Sequence, residues 1–214
     1  MSRMAQEPSR RTQRQLAAGP RKGEIRETQI LDALERLLAT KPFTELTMDD
    51  IARHAGLSRS ALYFYFASKE AALGGLHQRT YAAMARTTEP LTEAGDATEA
   101  SMRRAVGEVC RNWREHAHAL RTFHETAMVS ADFGERWRER LETHVATLAH
   151  LIEGERAAGR ARPGPPAAEA LASAWFWMLE SQFYELFRRE HTRAQQDDLV
   201  DTLTLLWTRV IAAS

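Results

Sequence analysis

Between Thr47 and Lys69 the sequence concentrates groups suited to hydrogen bonding with a polyanion and with base edges. Ser58, Arg59, Ser60, Tyr63 and Tyr65 place four hydroxyls and one guanidinium within eight residues. Donors of this kind meet phosphate oxygens and the edges of bases in a groove. Thr47 and Lys69 extend the set at either end, and no carboxylate interrupts the stretch from Ile51 to Ser68. Other chemistries find no such support. The chain has no Gly-rich phosphate loop, Gly-x-Ser-x-Gly elbow, His-Glu-x-x-His pair or paired-cysteine site. His116 and His118 lie two apart, on different sides of a helix, and His124, His144, His150 and His191 lack ligand spacing. The expectation is a protein without catalytic residues, metal or cofactor.

The elements that must position those donors are helices, because apolar residues recur at three and four rather than two. A first helix is expected over 24–40, with Ile30, Leu34, Leu37 and Leu38 on one face, stopped by Lys41-Pro42. Thr47 and Asp50 have the spacing of a capping box. They open a short second helix that ends at Ala55-Gly56, glycine being suited to a left-handed backbone. Ser58 caps a third helix to about 64 and Ser68 a fourth to about 88, followed by a loop over 90–96. Further helices are expected over 97–115, 117–129, 133–158, 167–190 and 194–212, with a Pro- and Gly-rich linker at 159–166. The fold class is all-α. Two short helices joined by Ala55-Gly56-Leu57 have the spacing of a helix-turn-helix, whose second helix enters the major groove.

Composition narrows the setting. The 214 residues are 43% apolar, enough for a substantial core, and the 29 basic and 29 acidic residues balance. Their distribution does not. Residues 1–22 carry six basic side chains, Arg3, Arg10, Arg11, Arg14, Arg21 and Lys22, against Glu7 alone. From Gly23 to Glu70 there are six basic and eight acidic residues, so much of any general attraction to a polyanion falls to the arm. Arg10, Arg11 and Arg14 are expected along a flanking minor groove or backbone. A single cysteine, Cys110, excludes an internal disulfide and suits a reducing compartment. With no apolar run of membrane-spanning length and no signal-like N-terminus, the expected location is cytoplasmic.

The run Tyr63-Phe-Tyr-Phe-x-Ser-Lys-Glu70, preceded by Thr47-x-x-x-Ile-Ala-x-x-Ala-Gly56, closely resembles the tetracycline-repressor (TetR) family. Chain length and the closing Asp201-Thr-Leu-x-x-x-Trp207 look similar to its ethionamide-repressor branch. The resemblance implies a disordered basic arm at 1–22 and a three-helix DNA-binding module at 23–73. It also implies a larger ligand-binding and dimerisation domain at 74–214. It places Thr47, Ser58, Arg59, Ser60, Tyr63, Tyr65 and Lys69 where members touch DNA, with Tyr63 and Lys69 on phosphates and Arg59 and Ser60 nearest the bases. Phe64 and Phe66 fall where members have core aromatics.

Carried over from that branch, an apolar effector pocket would be lined by Met102, Val106, Cys110, Trp137, Leu141, His144, Thr147, Phe176, Leu179, Phe183 and Trp207. The last two helices, about 167–190 and 194–212, would pair across a two-fold axis into a four-helix bundle. Leu171, Trp175, Met178, Phe183, Leu186, Leu199, Leu203, Leu206 and Val210 would supply its faces. The implied function is repression of a near-palindromic operator by a homodimer that a small apolar effector releases. The alternative is a DNA-binding dimer controlled by a partner protein instead. Gly74-Gly75 has two readings: a pivot in the connecting helix, or close packing against a bulky neighbour.

Overall fold

The computed structural model describes the backbone of residues 22–93 and 98–211, and the side chains within them except those of 22, 84, 86–93 and 140. The arm expected over 1–22, apart from the backbone of Lys22, lies outside the described residues. Those described form eight α-helices and a 3-10 turn, with no β-strand among them. The helices are α1 (Lys22–Leu38), α2 (Met48–His54), α3 (Arg59–Tyr65), α4 (Lys69–Glu93), α5 (Glu99–Val129), α6 (Ala131–Ala157), α7 (Ala168–Phe187) and α8 (Arg193–Val210). The single turn Phe43–Glu45 lies between α1 and α2. The all-α expectation holds.

Local chemistry sets most of the boundaries. Thr47 Oγ1 accepts from Asp50 N while Asp50 Oδ2 accepts from Thr47 N, closing the capping box that starts α2. Gly56, at φ 67°, makes the left-handed turn into α3. Ser58 and Ser68 each accept from the backbone three residues on, opening α3 and α4. Thr98, Ser130 and Thr192 do the same for α5, α6 and α8.

One boundary is corrected. Pro90 does not end the fourth helix, which continues to Glu93. The two helices expected on either side of His116 do meet there across a kink (φ −120°, ψ 23°), and together make up α5. The segment 159–166 is the expected non-helical connection between α6 and α7, and it is tied down. Arg156 donates to the carbonyls of Arg162 (3.0 Å) and Pro166 (2.6 Å), and Arg162 N donates to Ile211 O (2.9 Å).

Helices α1 to α3 enclose a small core of Ile30, Leu34, Ile51 and Leu62, all fully buried. Each such side chain contributes roughly 1.5–3 kcal/mol. Helix α4 packs against α1 and α5, and its Leu73 and Leu76 are equally buried. The 73/74 division therefore falls inside one continuous helix. Helix α5 runs through the middle of the body, touching α1, α4, α6, α7 and α8.

Candidate nucleic-acid interface and effector core

Helix α3 is held by Leu62, which is fully buried, and by Phe66, its C-cap, which is buried as well. The opposite side is left to solvent. Ser58, Arg59, Ser60, Tyr63 and Phe64 are all exposed, Tyr63 by 43% and Phe64 by 83%. Arg59 lies over the Tyr63 ring, 5.6 Å from its centre, so the two form one stripe along the helix. Ser60 and Phe64, also four apart, form the next.

The structure thus brings Ser58, Arg59, Ser60 and Tyr63 together on one surface. Tyr65 is half-buried and packs on the core. Thr47 sits at the start of α2, its hydroxyl engaged with Asp50 (2.9 Å). Lys69 is tied down more firmly. Its ammonium donates to the carbonyls of Phe43 (2.8 Å), Thr44 (3.3 Å) and Leu46 (2.9 Å) and rests on the Phe43 ring. A lysine has three donors, and all three are engaged, so a phosphate contact requires one to be released.

Phe64 corrects the sequence expectation. The resemblance puts it in the core with Phe66, yet only Phe66 is buried. Helical register carries the signal: Leu62 and Phe66 share one stripe, and Phe64 shares the Ser60 stripe instead. Two carboxylates also matter here. Asp49 Oδ2 lies 3.3 Å from Arg59 Nη1, and Asp50 pairs with Lys41 (3.1 Å) and Arg53 (2.5 Å). Hydrogen bonds from Lys41 and Thr47 hold the Asp50 carboxyl down at about 2. The carboxylate-free stretch in the sequence is therefore furnished with carboxylates from the preceding turn.

In the body, Met102, Val106, Cys110, Trp137, Leu141, Phe176, Leu179, Phe183 and Trp207 are buried and His144 is half-buried. Thr147 is not a lining residue: it is exposed, and its hydroxyl donates to Thr143 O (2.9 Å). Residue 147 lies on the solvent side of α6, while Leu141, Ala149 and Ile152 hold the inner side. Around the remaining set the structure places polar groups that sequence reasoning missed. Glu180, only 1% exposed, lies within hydrogen-bond distance of His124 Nε2 (3.1 Å). His124 stacks on Tyr184 (5.1 Å) and lies edge-on to Trp137 (4.8 Å).

Tyr81 approaches His77 (4.1 Å) and His144 (5.4 Å), and the His144 ring lies parallel to Phe176 (6.4 Å, 3°). Burial, with the Glu180 carboxylate nearby, pushes the Tyr81 phenol well above its usual range. Burial pulls His144 down, opposed in part by Glu180. The indole N–H groups of Trp137 and Trp207 are buried without a hydrogen-bond acceptor among the described residues. Cys110 is buried, 4.0 Å from Gln196 Oε1, and desolvation pushes its thiol up to about 11. A cleft of about 200 Å³ opens between the start of α4 (Ser68, Glu70, Ala71, Gly74) and the α5–α6 corner (Phe123, Phe133, Arg136, Trp137).

Three histidine, aspartate, glutamate or cysteine side chains do not gather as a metal would require among the described residues. None of the described helices is long and apolar enough to cross a membrane. The bundle expected from α7 and α8 is revised in detail. Trp175, Phe183 and Leu203 are buried within the chain, and the apolar surface left outward is Leu205, Leu206 and Val210.

Residues 30–73 match the family described as "Bacterial regulatory proteins, tetR family". Residues 102–213 match "Transcriptional regulator EthR, C-terminal domain". The chain is 32% identical over 191 residues to the HTH-type transcriptional regulator EthR of Mycobacterium tuberculosis, covering 88% of each. It is also 32% identical over 190 residues to EthR of Mycolicibacterium smegmatis, covering 88% of this chain and 87% of that one. Among solved structures, a TetR-family regulator from Mesorhizobium loti superposes with a TM-score of 0.71 at 18% identity, covering 91% of this chain and all of that one (100%). A TetR regulator from Haloarcula marismortui gives 0.71 at 17%, covering 88% and 99%. At these identities the two structures speak for the fold alone.

Proposed function

The chain belongs to the TetR family of bacterial transcriptional regulators, and from that premise we propose that it is a repressor whose homodimer binds a near-palindromic operator and is released by a small effector. One observation carries the DNA reading. The second helix of the helix-turn-helix presents Ser58, Arg59, Ser60, Tyr63 and Phe64 to solvent while Leu62 and Phe66 anchor it from behind. Residues 23–73 serve as the reading module, residues 74–214 as the effector and dimer domain, and residues 1–22 as a basic arm. Half-sites lie roughly 34–36 Å apart, or a multiple of one helical turn. Leu205, Leu206 and Val210, exposed on α8, supply part of the two-fold interface.

The effector reading rests on the body's interior. An indole N–H buried without an acceptor costs about 1–3 kcal/mol. An apolar effector that presents an oxygen to Trp137 or Trp207 removes that cost, which favours this reading over control by a partner protein. The decisive experiment is a mobility shift with fragments of the protein's own promoter at low ionic strength. A shift reversed by an effector that also raises the melting temperature supports the proposal. No shift with any fragment refutes it.

A further inference from the structure

The Phe64 ring is exposed by 83%, the largest exposure of any aromatic side chain among the exposed large hydrophobics of the described residues. It is not a stray surface residue, because of what surrounds it. It lies one helical turn beyond Ser60, beside the Arg59–Tyr63 stripe, on the face with which α3 would enter a major groove. It is also held. Its ring stands edge-on to Tyr65 at 5.3 Å and 83°, and Tyr65 packs on the core. An aromatic ring with two side-chain torsions, braced on one side and bare on the other, suits contact more than motion.

Neighbouring side chains give that contact its chemistry. Ser58, Arg59, Ser60 and Tyr63 all carry hydrogen-bonding groups; Phe64 alone on this face has none. A phosphate offers such a ring nothing, and neither do the polar edges of guanine, adenine or cytosine. The one apolar group that B-DNA displays in the major groove is the thymine 5-methyl. Resting on the reading proposed above, we infer that Phe64 is a specificity-determining residue whose ring receives a thymine methyl next to the base reached by Ser60. No bond or proton moves; the selectivity comes from removing one methyl and part of one ring from water.

The test uses the full-length protein and the operator fragment found by mobility shift. Each thymine of a half-site is replaced in turn by deoxyuridine, which removes the methyl and leaves the base-pairing unchanged. Fluorescence anisotropy then gives Kd for the native protein and for Phe64→Ala. Burying one methyl corresponds to about fourfold in affinity. One thymine position should therefore show a loss of about fourfold in the native protein and none in Phe64→Ala. All other deoxyuridine positions should affect both proteins equally. Since the ring is already exposed, the variant should melt with the native protein, and that measurement guards against misfolding.

A variant that still discriminates thymine from uracil at every position the native protein does would overturn the inference. So would uniform weakening by Phe64→Ala on all fragments, which assigns the ring to the sugar–phosphate backbone, or a change of oligomeric state, which assigns it to a second copy. If the native protein binds no promoter fragment, the repressor reading fails first and takes this one with it.

Discussion

Alanine at position 75 tests whether the glycine pair in α4 is a pivot or a fitted contact. A Cβ built on Gly75 lies 2.9 Å from Phe66 Cε1, 3.3 Å from Cζ and 3.5 Å from Leu31 Cδ2. Carbon pairs prefer roughly 3.5–4.0 Å, so the Phe66 ring must retreat by about 0.6 Å or more. Phe66 is the buried ring that seats α3, and overpacking of this kind costs about 1–3 kcal/mol. Against this, replacing a helical glycine with alanine contributes roughly 1 kcal/mol. The balance is a loss of about 1 kcal/mol, or a melting point lower by about 2–4 °C for a chain of this size.

The assay is a double-mutant cycle of Gly75→Ala and Phe66→Leu, read by urea and thermal unfolding together with operator affinity. With the ring shortened to leucine, the same alanine should become neutral or stabilising by up to about 1 kcal/mol, a coupling in the range expected for touching residues. If alanine stabilises both backgrounds equally, no steric contact exists and the packing argument is wrong. Unchanged stability with normal DNA binding and lost effector response would establish the pivot.

Asp49→Asn should tighten operator binding by up to about fivefold, with the gain shrinking as salt rises, because Arg59 is freed and a charge beside the phosphates is removed. Weaker binding in a titration at two ionic strengths would contradict this. Asp50 is held at about 2 against its ordinary 3.8, so its contribution to stability is complete above about 3.8 and is lost as pH falls toward 2. Asp50→Asn should flatten that part of the acid-unfolding curve, and an unaltered curve would refute the assignment. Cys110, buried and pushed up to about 11, should resist a disulfide reagent in the folded protein and react on unfolding. Labelling at the rate of a free thiol under native conditions would show the site to be open.

Much of the fold is legible because its determinants are local. Thr47 with Asp50, Ser58, Ser68 and Gly56 announce helix ends within three or four residues, and the structure uses each of them there. What escapes notice depends on partners brought together by folding. Asp49 reaches Arg59 across the turn, and Lys69 reaches back over more than twenty residues to three carbonyls. Glu180 meets His124 from a different helix, 56 residues away. Phe64 is the instructive exception, since counting the helical register from Leu62 to Phe66 is enough to turn it outward. At this position the helical register, not the likeness to relatives, decides which way the ring faces. The reason for Gly75 was invisible for the opposite cause: both Phe66 and Leu31 must be in place before the missing Cβ has a meaning.

The bend in α5 has a geometric consequence. At His116, where the helix leaves its regular path, the imidazole Nδ1 pairs with Glu35 of α1. Glu35 also meets Arg79 of α4 (2.9 Å), which in turn grips Asp32 (2.6 Å). Three helices are thus riveted at one spot, with the elbow of the longest one as the fixing point. A change in that elbow would move the imidazole away from Glu35, and a hydrogen bond of about 3 Å leaves little room for such travel. The position of α1, which backs the two short helices, is thereby tied to the elbow of a helix in the body.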